Sequence, residues 1–313
     1  MELIPDTVNL DSYMGEPDFR ASVRSAADFA DQVKADLDPH APRDTAPGLL
    51  MNKARGLIHF RPGEVTAWSG YNGHRKSMFT SQVAIDMAMQ RQRVLIVSLE
   101  MPPWRTMSRM TRQACGLAHP APALIDRFHQ WTDGRLWLFD HVGRIAPDRA
   151  LALCRYFADT HQGTHVFIDS WMMVCSSEEN LDEQKQFSTD LCRLAQETGL
   201  HVHVIAHCRK PSAATGEDRP PTRYDIRGSG AISDQAANVV TVWANKAKFA
   251  KLEANPNDMD ALAQPCGLMR CDKQRNGRWE GSMKVWHDDA SLRFCEDRTT
   301  PVEPYHFMTE SEA

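Results

Sequence analysis

No run of this sequence approaches the eighteen or so apolar residues that a membrane-spanning helix needs, and the first residues lack the basic-then-apolar layout of a signal peptide. A soluble, cytoplasmic protein is therefore expected. The chain has no basic excess either: 41 acidic residues stand against 36 basic ones, for a formal charge of −5, which excludes a cationic tail that coats nucleic acid. A nucleic-acid partner is still compatible with this balance, because a ring or cleft can gather positive charge on its loops while the outer surface stays acidic. Eight cysteines, at 115, 154, 175, 192, 208, 266, 271 and 295, include no C-x-x-C pair. Several lie within apolar runs and read as reduced, buried thiols of an intracellular protein. No internal repeat is visible. With 313 residues the chain is long enough for one large domain, or a domain with a small appendage, around one substantial core.

What the sequence does have is a phosphate-binding pattern. Glu64-Val65-Thr66-Ala67-Trp68 reads as a short strand that runs into Ser69-Gly70-Tyr71-Asn72-Gly73-His74-Arg75-Lys76-Ser77. Gly70 and the Lys76-Ser77 pair have the separation of G-x-x-x-x-G-K-[ST]. In that pattern backbone N–H groups wrap the phosphates, the lysine reaches the β/γ oxygens and the hydroxyl holds magnesium. Arg75 stands where the pattern has its second glycine. Met78, Phe79, Val83, Ile85, Met87 and Met89 then supply the apolar body of a helix, which would put a bound phosphate at a helix N-terminus.

The chain divides into three stretches: an N-terminal arm over 1–48, a core over 49–296 and a tail over 297–313. Residues 1–17 carry Pro5, Gly15 and Pro17 without periodicity and are expected to be a loose arm. After Asp18, a reasonable N-cap, Phe19, Val23, Ala26, Ala30, Val33 and Leu37 form one stripe on a helix over 19–37. That stripe either packs on its own core or docks on a neighbouring subunit. Within the core, strands are expected at 93–99, 136–139, 165–169, 201–206 and 238–243, and further strands joined by turns after 268. Helices are expected over 104–115, around 148–160 and before Gly199. Residues 211–226 look like a long mobile loop, and 246–264 like an insertion or surface loop. Apolar strands alternate with helices, and Glu100, Asp169 and His207 fall at the carboxyl ends of strands, where an open α/β sheet builds its ligand crevice.

These motifs, taken in order, resemble the RecA-type motor domain of DnaB-like hexameric replicative helicases, over roughly residues 50–295. The matching segments are Ser69 to Ser77, Val97 to Pro102, Val166 to Ser170, Val204 to Pro211 with Arg227 to Ile232, and Lys273 to Gly277. The resemblance implies an α/β fold with a RecA-like P-loop NTPase core, a mostly parallel twisted sheet with helices on both faces, and an N-terminal helical arm. It implies a six-membered ring that hydrolyses ATP or another nucleoside triphosphate with Mg2+ and moves along single-stranded DNA. Residues 69–77 would bind the nucleotide, with Lys76 on the β/γ phosphates and Ser77 on magnesium, beside Asp169. Glu100 would orient and deprotonate the attacking water, and His207 would sense the γ-phosphate. Lys273 and Arg275 would be given to a neighbour's nucleotide, where cationic donors stabilise developing charge. Arg209, Lys210, Arg223, Arg227 and Gly228, with Arg219 beside them, would contact DNA phosphates with little regard to sequence.

The chain also departs from that family. It has no room for a primase or for the helical N-terminal domain of the bacterial enzyme, so a primase or loader would be a separate partner. A side chain at 75 would either crowd the nucleotide or add charge to it. An aromatic stacking platform for single strands is not evident. Two other readings stay open: a ring or filament ATPase, such as a loader or recombination factor, that binds DNA without unwinding it, and a non-catalytic homologue whose phosphate loop has decayed.

Overall fold

The computed structural model describes residues 2–13, 25–38, 45–177, 179–211, 216–228 and 230–309. In chain order the first elements are β1 (Glu2–Pro5), α1 (Ala30–Leu37), β2 (Val65–Ser69), α2 (Lys76–Met89), β3 (Val94–Ser98), α3 (Pro103–Cys115), α4 (Pro122–Thr132) and β4 (Leu136–Asp140). There follow α5 (Pro147–His161), β5 (His165–Asp169), α6 (Leu181–Thr198), β6 (His201–Ile205), α7 (Ala231–Gln235) and β7 (Asn238–Ala244). The chain then runs through α8 (Lys246–Ala254), α9 (Met259–Ala263), β8 (Gly267–Gln274), β9 (Gly281–Asp288) and β10 (Arg293–Cys295). The ten strands form one sheet in the order β1-β4-β3-β5-β6-β2-β7-β8-β9-β10. The seven strands from β1 to β7 pair in parallel, and β8, β9 and β10 add an antiparallel margin.

The central strands are almost wholly apolar because both of their faces are covered. Alternate side chains go to opposite layers. Val65, Ala67, Leu95, Val97, Val166, Ile168, Val202 and Val204 meet Leu153, Phe157, Phe187, Leu191, Leu194 and Ile232 of α5, α6 and α7. Trp68, Val94, Ile96, Phe167 and Ile205 meet Phe79, Val83, Met107, Met110 and Phe128 of α2, α3 and α4. Each fully buried Val, Leu, Ile, Phe or Met among them contributes roughly 1.5–3 kcal/mol. The segment before β2 adds Leu49, Ile58 and Phe60 to the second layer.

Within that layer three histidines are buried. Trp68 Nε1 donates to His203 Nδ1 at 3.1 Å, so neutral His203 carries its proton on Nε2 and donates to His165 Nδ1 at 3.1 Å. His201 Nδ1 donates to the Arg61 carbonyl at 2.7 Å, and its Nε2 accepts from Thr66 Oγ1 at 2.8 Å. Phe167 stacks on His203 at 4.0 Å. Burial lowers the pKa of all three, His201 to about 4 and the other two well below the usual histidine value.

Several expectations need correction. Residues 2–5, expected in a loose arm, pair with β4 and bury Ile4 between α5 and the sheet. Of the helix expected over 19–37, residues 19–24 lie outside the described residues; a 3-10 turn at Ala26–Phe29 leads into α1, on which Val33 and Leu37 are 50% and 72% exposed. Residues 246–264 contain two helices, capped by Asn245 and Asp258. Helix α4 falls where no element is expected from the sequence. The stretch read as a tail from 297 comes back to it: Phe307 stacks on Trp131 at 3.7 Å, and Tyr305 Oη reaches the buried Asp86 at 3.3 Å. Of the loop over 211–226, residues 212–215 lie outside the described residues. Its later part is tied down, with Arg270 donating to the Pro221 carbonyl and a 3-10 turn at Arg223–Asp225.

Candidate functional site

Four parallel strands present their carboxyl ends side by side, in the order β3, β5, β6, β2. Each delivers one part of the site. From β2 the chain turns at Ser69, whose hydroxyl meets Thr241 Oγ1 at 3.0 Å, into Gly70. A Cβ on Gly70 would lie 2.2 Å from the Val242 carbonyl oxygen, so the loop passes β7 too closely for any other residue. Cys208 N–H donates to the Gly70 carbonyl at 2.9 Å. The loop closes at Arg75, which adopts φ 65 and ψ 22, and α2 starts at Lys76.

Arg75 therefore has the left-handed conformation that explains why glycine is usual here; the Cβ costs about 1–2 kcal/mol. Two contacts offset that strain. The guanidinium lies over the Phe249 ring of α8, 4.4 Å from its centroid, and 3.7 Å from Asp289 Oδ1 after β9. A cation–π pair of this kind is worth about 0.5–2 kcal/mol. Arg75 thus reaches across to α8 and to the chain after β9.

Lys76 is buried and bends back over its own loop, donating to the carbonyls of Gly70 at 3.0 Å and Tyr71 at 2.9 Å. Its third partner is His207 Nδ1 at 3.1 Å. An ammonium only donates, so Nδ1 accepts, and the imidazole proton sits on Nε2, which faces Glu100 Oε1 at 3.5 Å. His207 thus bridges the lysine and the glutamate. Burial lowers the Lys76 pKa to about 8, against the pull of Cys208, Asp169 and Glu100. Glu100 is held down at about 2, first by the hydrogen bond from His207, with a second from Ser170 Oγ at 2.5 Å; burial opposes both. Asp169, buried, accepts from Ser77, and its carboxyl is raised by desolvation.

Arg109 belongs to the same cavity as Ser77, Ser81, Ser98 and Asp169. Its guanidinium donates to Ser81 Oγ at 3.4 Å and Met101 Sδ at 3.3 Å, and burial lowers its pKa against the attraction of Asp169. Arginines at 105, 109 and 112 stand out in the sequence, but only the buried Met107 and Met110 beside it reveal that Arg109 belongs to the inward part of α3.

The tip of the loop is tied to its surroundings as well. His74 is fully buried; Ala244 N–H donates to its Nδ1 at 3.1 Å, so Nε2–H faces Glu217 Oε2 at 3.1 Å. Glu217 also accepts from Lys246 at 2.6 Å, and Lys246 reaches the Asn72 carbonyl at 3.5 Å. Tyr71 packs edge-on against His74, and a Cβ on Gly73 would face Lys246 Nζ at 3.8 Å.

Arg209, Lys210, Arg223, Arg227 and Gly228 come together beside this loop. Arg209 N–H donates to the Asp225 carbonyl at 2.7 Å, Arg227 N–H to the His207 carbonyl at 2.8 Å, and Arg209 Nη2 to the Gly228 carbonyl at 3.5 Å. Lys210 is exposed. Lys273 and Arg275 are not brought to the phosphate loop. They lie toward the start of β7, Lys273 opposite Val239 and Arg275 N–H on the Ala237 carbonyl, whereas Ser69 pairs with Thr241 further along it. There Lys273 donates to the carbonyls of Ser233 and Asp234 at 3.1 and 2.7 Å, and Arg275 to those of Asp234 and Gln235 at 3.4 and 3.3 Å.

The donor set fits a magnesium-bound triphosphate. Helix α2 begins with no side-chain cap on its first N–H groups, and the Ser77 hydroxyl and Asp169 carboxylate are hard oxygen donors in contact. Among the described residues no group of three His, Cys, Asp or Glu could hold a metal ion. No described helix is long and apolar enough to cross a membrane.

A family profile described as an AAA domain matches residues 32–213, more than half of the chain. The chain belongs to the AAA domain family. It is also 28% identical over 247 residues to a DNA helicase/primase of Enterobacteria phage T3, an alignment covering 72% of this chain and 43% of that protein. The chain thus spans less than half the length of that curated relative. Among solved structures, one described as an ATPase domain superposes with a TM-score of 0.64 at 15% identity, over 76% of this chain and 86% of that one. A DnaB-like replicative helicase, solved for its interactions with primase, superposes with a TM-score of 0.70 at 14% identity, over 87% and 67%. The α/β fold of this AAA domain is therefore the RecA-like one of helicase ATPase domains, as the motifs imply.

Proposed function

We propose that the chain is an ATP-driven motor that moves along single-stranded DNA as a ring, six-membered as in the helicases it resembles, with a separate primase or loader as partner. One observation carries this reading. Lys76, Ser77, Glu100, Asp169 and His207 meet at the phosphate loop, whereas Lys273 and Arg275 are turned away from it onto the Ser233, Asp234 and Gln235 carbonyls. The first set is a hydrolytic half-site, and the second can complete such a half-site only on another copy.

In this reading residues 69–77 wrap the triphosphate with backbone N–H groups, and Lys76 leaves the Gly70 and Tyr71 carbonyls for the β/γ oxygens. Ser77 and Asp169 would hold Mg2+, which supplies charge neutralisation across those oxygens. Glu100 orients the attacking water. As the water oxygen bonds to the γ-phosphorus and the bond to the β-phosphate oxygen breaks, Glu100 takes the water's proton and ADP leaves. While His207 and Ser170 hydrogen-bond Glu100, its basicity is suppressed. A γ-phosphate that draws His207 and Lys76 toward itself frees the carboxylate for this work. His207 passes the same displacement to the 208–228 segment, because Arg227 N–H rests on its carbonyl.

The test is steady-state ATP hydrolysis by wild type, Glu100→Gln and Arg75→Gly, with and without magnesium and single-stranded DNA. Glu100→Gln should lose about 10²–10⁴ in turnover and keep nucleotide binding. Arg75→Gly should change turnover modestly. Wild type that is inert throughout, beside an Arg75→Gly variant that turns over, would replace the motor with a non-catalytic binder.

A further inference from the structure

The 3-10 turn at Arg223–Asp225 carries Tyr224 outward, 74% exposed, beside the basic segment. An exposed tyrosine on a slack loop would mean little. This one stands on a braced turn. Asp225 Oδ2 accepts from the Thr222 N–H at 2.7 Å and the Thr222 hydroxyl at 2.9 Å, and Asp225 N–H donates back to the Thr222 carbonyl at 3.0 Å. Beneath the turn Ile226 is buried and bridges to Cys208, and the chain on either side of that bridge is fastened, by Arg209 N–H to the Asp225 carbonyl and by Arg227 N–H to the His207 carbonyl. The ring itself is oriented by Arg223, whose Nη2 donates to the phenol oxygen at 2.8 Å while its guanidinium carbon lies 4.9 Å from the ring centroid.

We propose that Tyr224 is a stacking platform for one nucleobase of a single strand. This deepens the motor reading above and rests on it. A base has a flat π-face and an anionic phosphate on either side, and the turn offers the complement of both. The turn that carries the aromatic ring is braced in advance, so little backbone freedom is lost on binding. Arg223 lies against the ring, Arg209 N–H is bound to the Asp225 carbonyl next to it with Lys210 following in the chain, and the Asp225 carboxylate is engaged by Thr222; Glu280 and Asp272 also attract Arg223. Every base presents a π-face, so such a platform is indifferent to sequence and fits a motor that must accept each nucleotide in turn. The turn is joined to the group that bridges Lys76 and Glu100 through Arg227, three residues beyond Tyr224, whose N–H donates to the His207 carbonyl.

The test compares an oligothymidylate with an abasic strand of equal length, by fluorescence anisotropy, on the full chain with magnesium and a non-hydrolysable ATP analogue. Wild type should bind the strand with bases about 5- to 150-fold more tightly than the abasic one, the range that base–aromatic stacks give. Tyr224→Ala should lose that preference and bind the abasic strand as wild type does; Tyr224→Phe should keep it. Equal loss on both strands, or no loss on either, would overturn the platform and leave the phosphate contacts standing. A Tyr224→Ala variant that binds DNA normally but changes its assembly state would make the ring a contact between copies instead. Wild type that binds neither strand would remove the single-strand reading itself, and the platform with it.

Discussion

The histidine layer makes the stability of this fold acid-sensitive, and by an amount that can be worked out. Each of His165, His201 and His203 is neutral in the folded chain, because its hydrogen bonds leave room for one proton only and burial disfavours a second; the charge on Arg61 adds to this at His201. In the unfolded chain each titrates near 6.5. The unfolded state therefore binds more protons as pH falls below 6.5, and the stability that these groups contribute above that value is lost. Each unit of pH is worth about 1.4 kcal/mol per group, so at pH 5 each histidine has removed about 2 kcal/mol and the three about 6. Whole domains have only about 5–15 kcal/mol. Asp86, raised to about 7 by burial, works the other way and regains about 2 kcal/mol over the same interval; the raised Asp169 and Asp272 share its sign. Comparing variants cancels these carboxyls. Urea unfolding at pH 7 and pH 5 should give a stability difference that is smaller by about 2 kcal/mol in His203→Gln than in wild type, and likewise in His201→Gln. Glutamine keeps a donor and an acceptor in place. If the pH 7 to pH 5 difference is unchanged in both variants, the histidines are not held neutral and the reasoning fails.

Mixing Lys76→Ala and Arg275→Ala subunits should restore part of the hydrolysis that each lacks alone, since their intact halves can meet at a junction; mixtures as inert as the separate variants would put the whole site in one chain. Phe307→Ala removes the stack on Trp131 and should lower unfolding stability by about 3–5 kcal/mol, read as a fall in the urea midpoint at unchanged slope. An unaltered midpoint would show that residues 305–308 do not support the core. Replacing Arg209 and Lys210 by alanine should weaken single-strand binding alike for all sequences and flatten its log–log salt slope by about 1.4 units, with nucleotide binding kept. An identical slope would take these two residues off the DNA path.

The phosphate loop was readable because strand, turn and helix are consecutive, so nine residues carry both the geometry and the chemistry. The strand ends at Glu100, Asp169 and His207 were readable for a similar reason, since a buried parallel strand is an unbroken apolar run and its last polar residue marks the crevice. The conformation of Arg75 was implicit too: a position that usually takes glycine is one that needs a positive φ. Partners distant in sequence were not legible. Nothing in Glu217 announces His74, 143 positions away, and nothing in Phe307 announces Trp131. The strand at 2–5 is too short beside Pro5 to show a period, and its pairing with β4 is a property of the sheet edge. Helix α4 has Pro122 at its start, but only Phe128 and Thr132 are buried, which leaves a weak stripe. The histidines of β5 and β6 read as polar residues in strands, and their role emerges only when those two strands lie side by side next to Thr66 and Trp68 of β2.

The hold of Phe249 and Asp289 on Arg75 bears on the order in which changes can accumulate. With glycine at 75 the left-handed turn is free of strain, and either contact residue can be exchanged with little effect on the loop. With arginine there, losing Phe249 or Asp289 exposes the strain of the Cβ and frees a charged side chain beside Lys76. Arginine at 75 is therefore conditional: it is tolerated after α8 and the β9 end are in place, and from then on it entrenches them. Phe249→Ala should harm nucleotide binding in the natural chain and do little in an Arg75→Gly background, so the same substitution has two different effects depending on what preceded it.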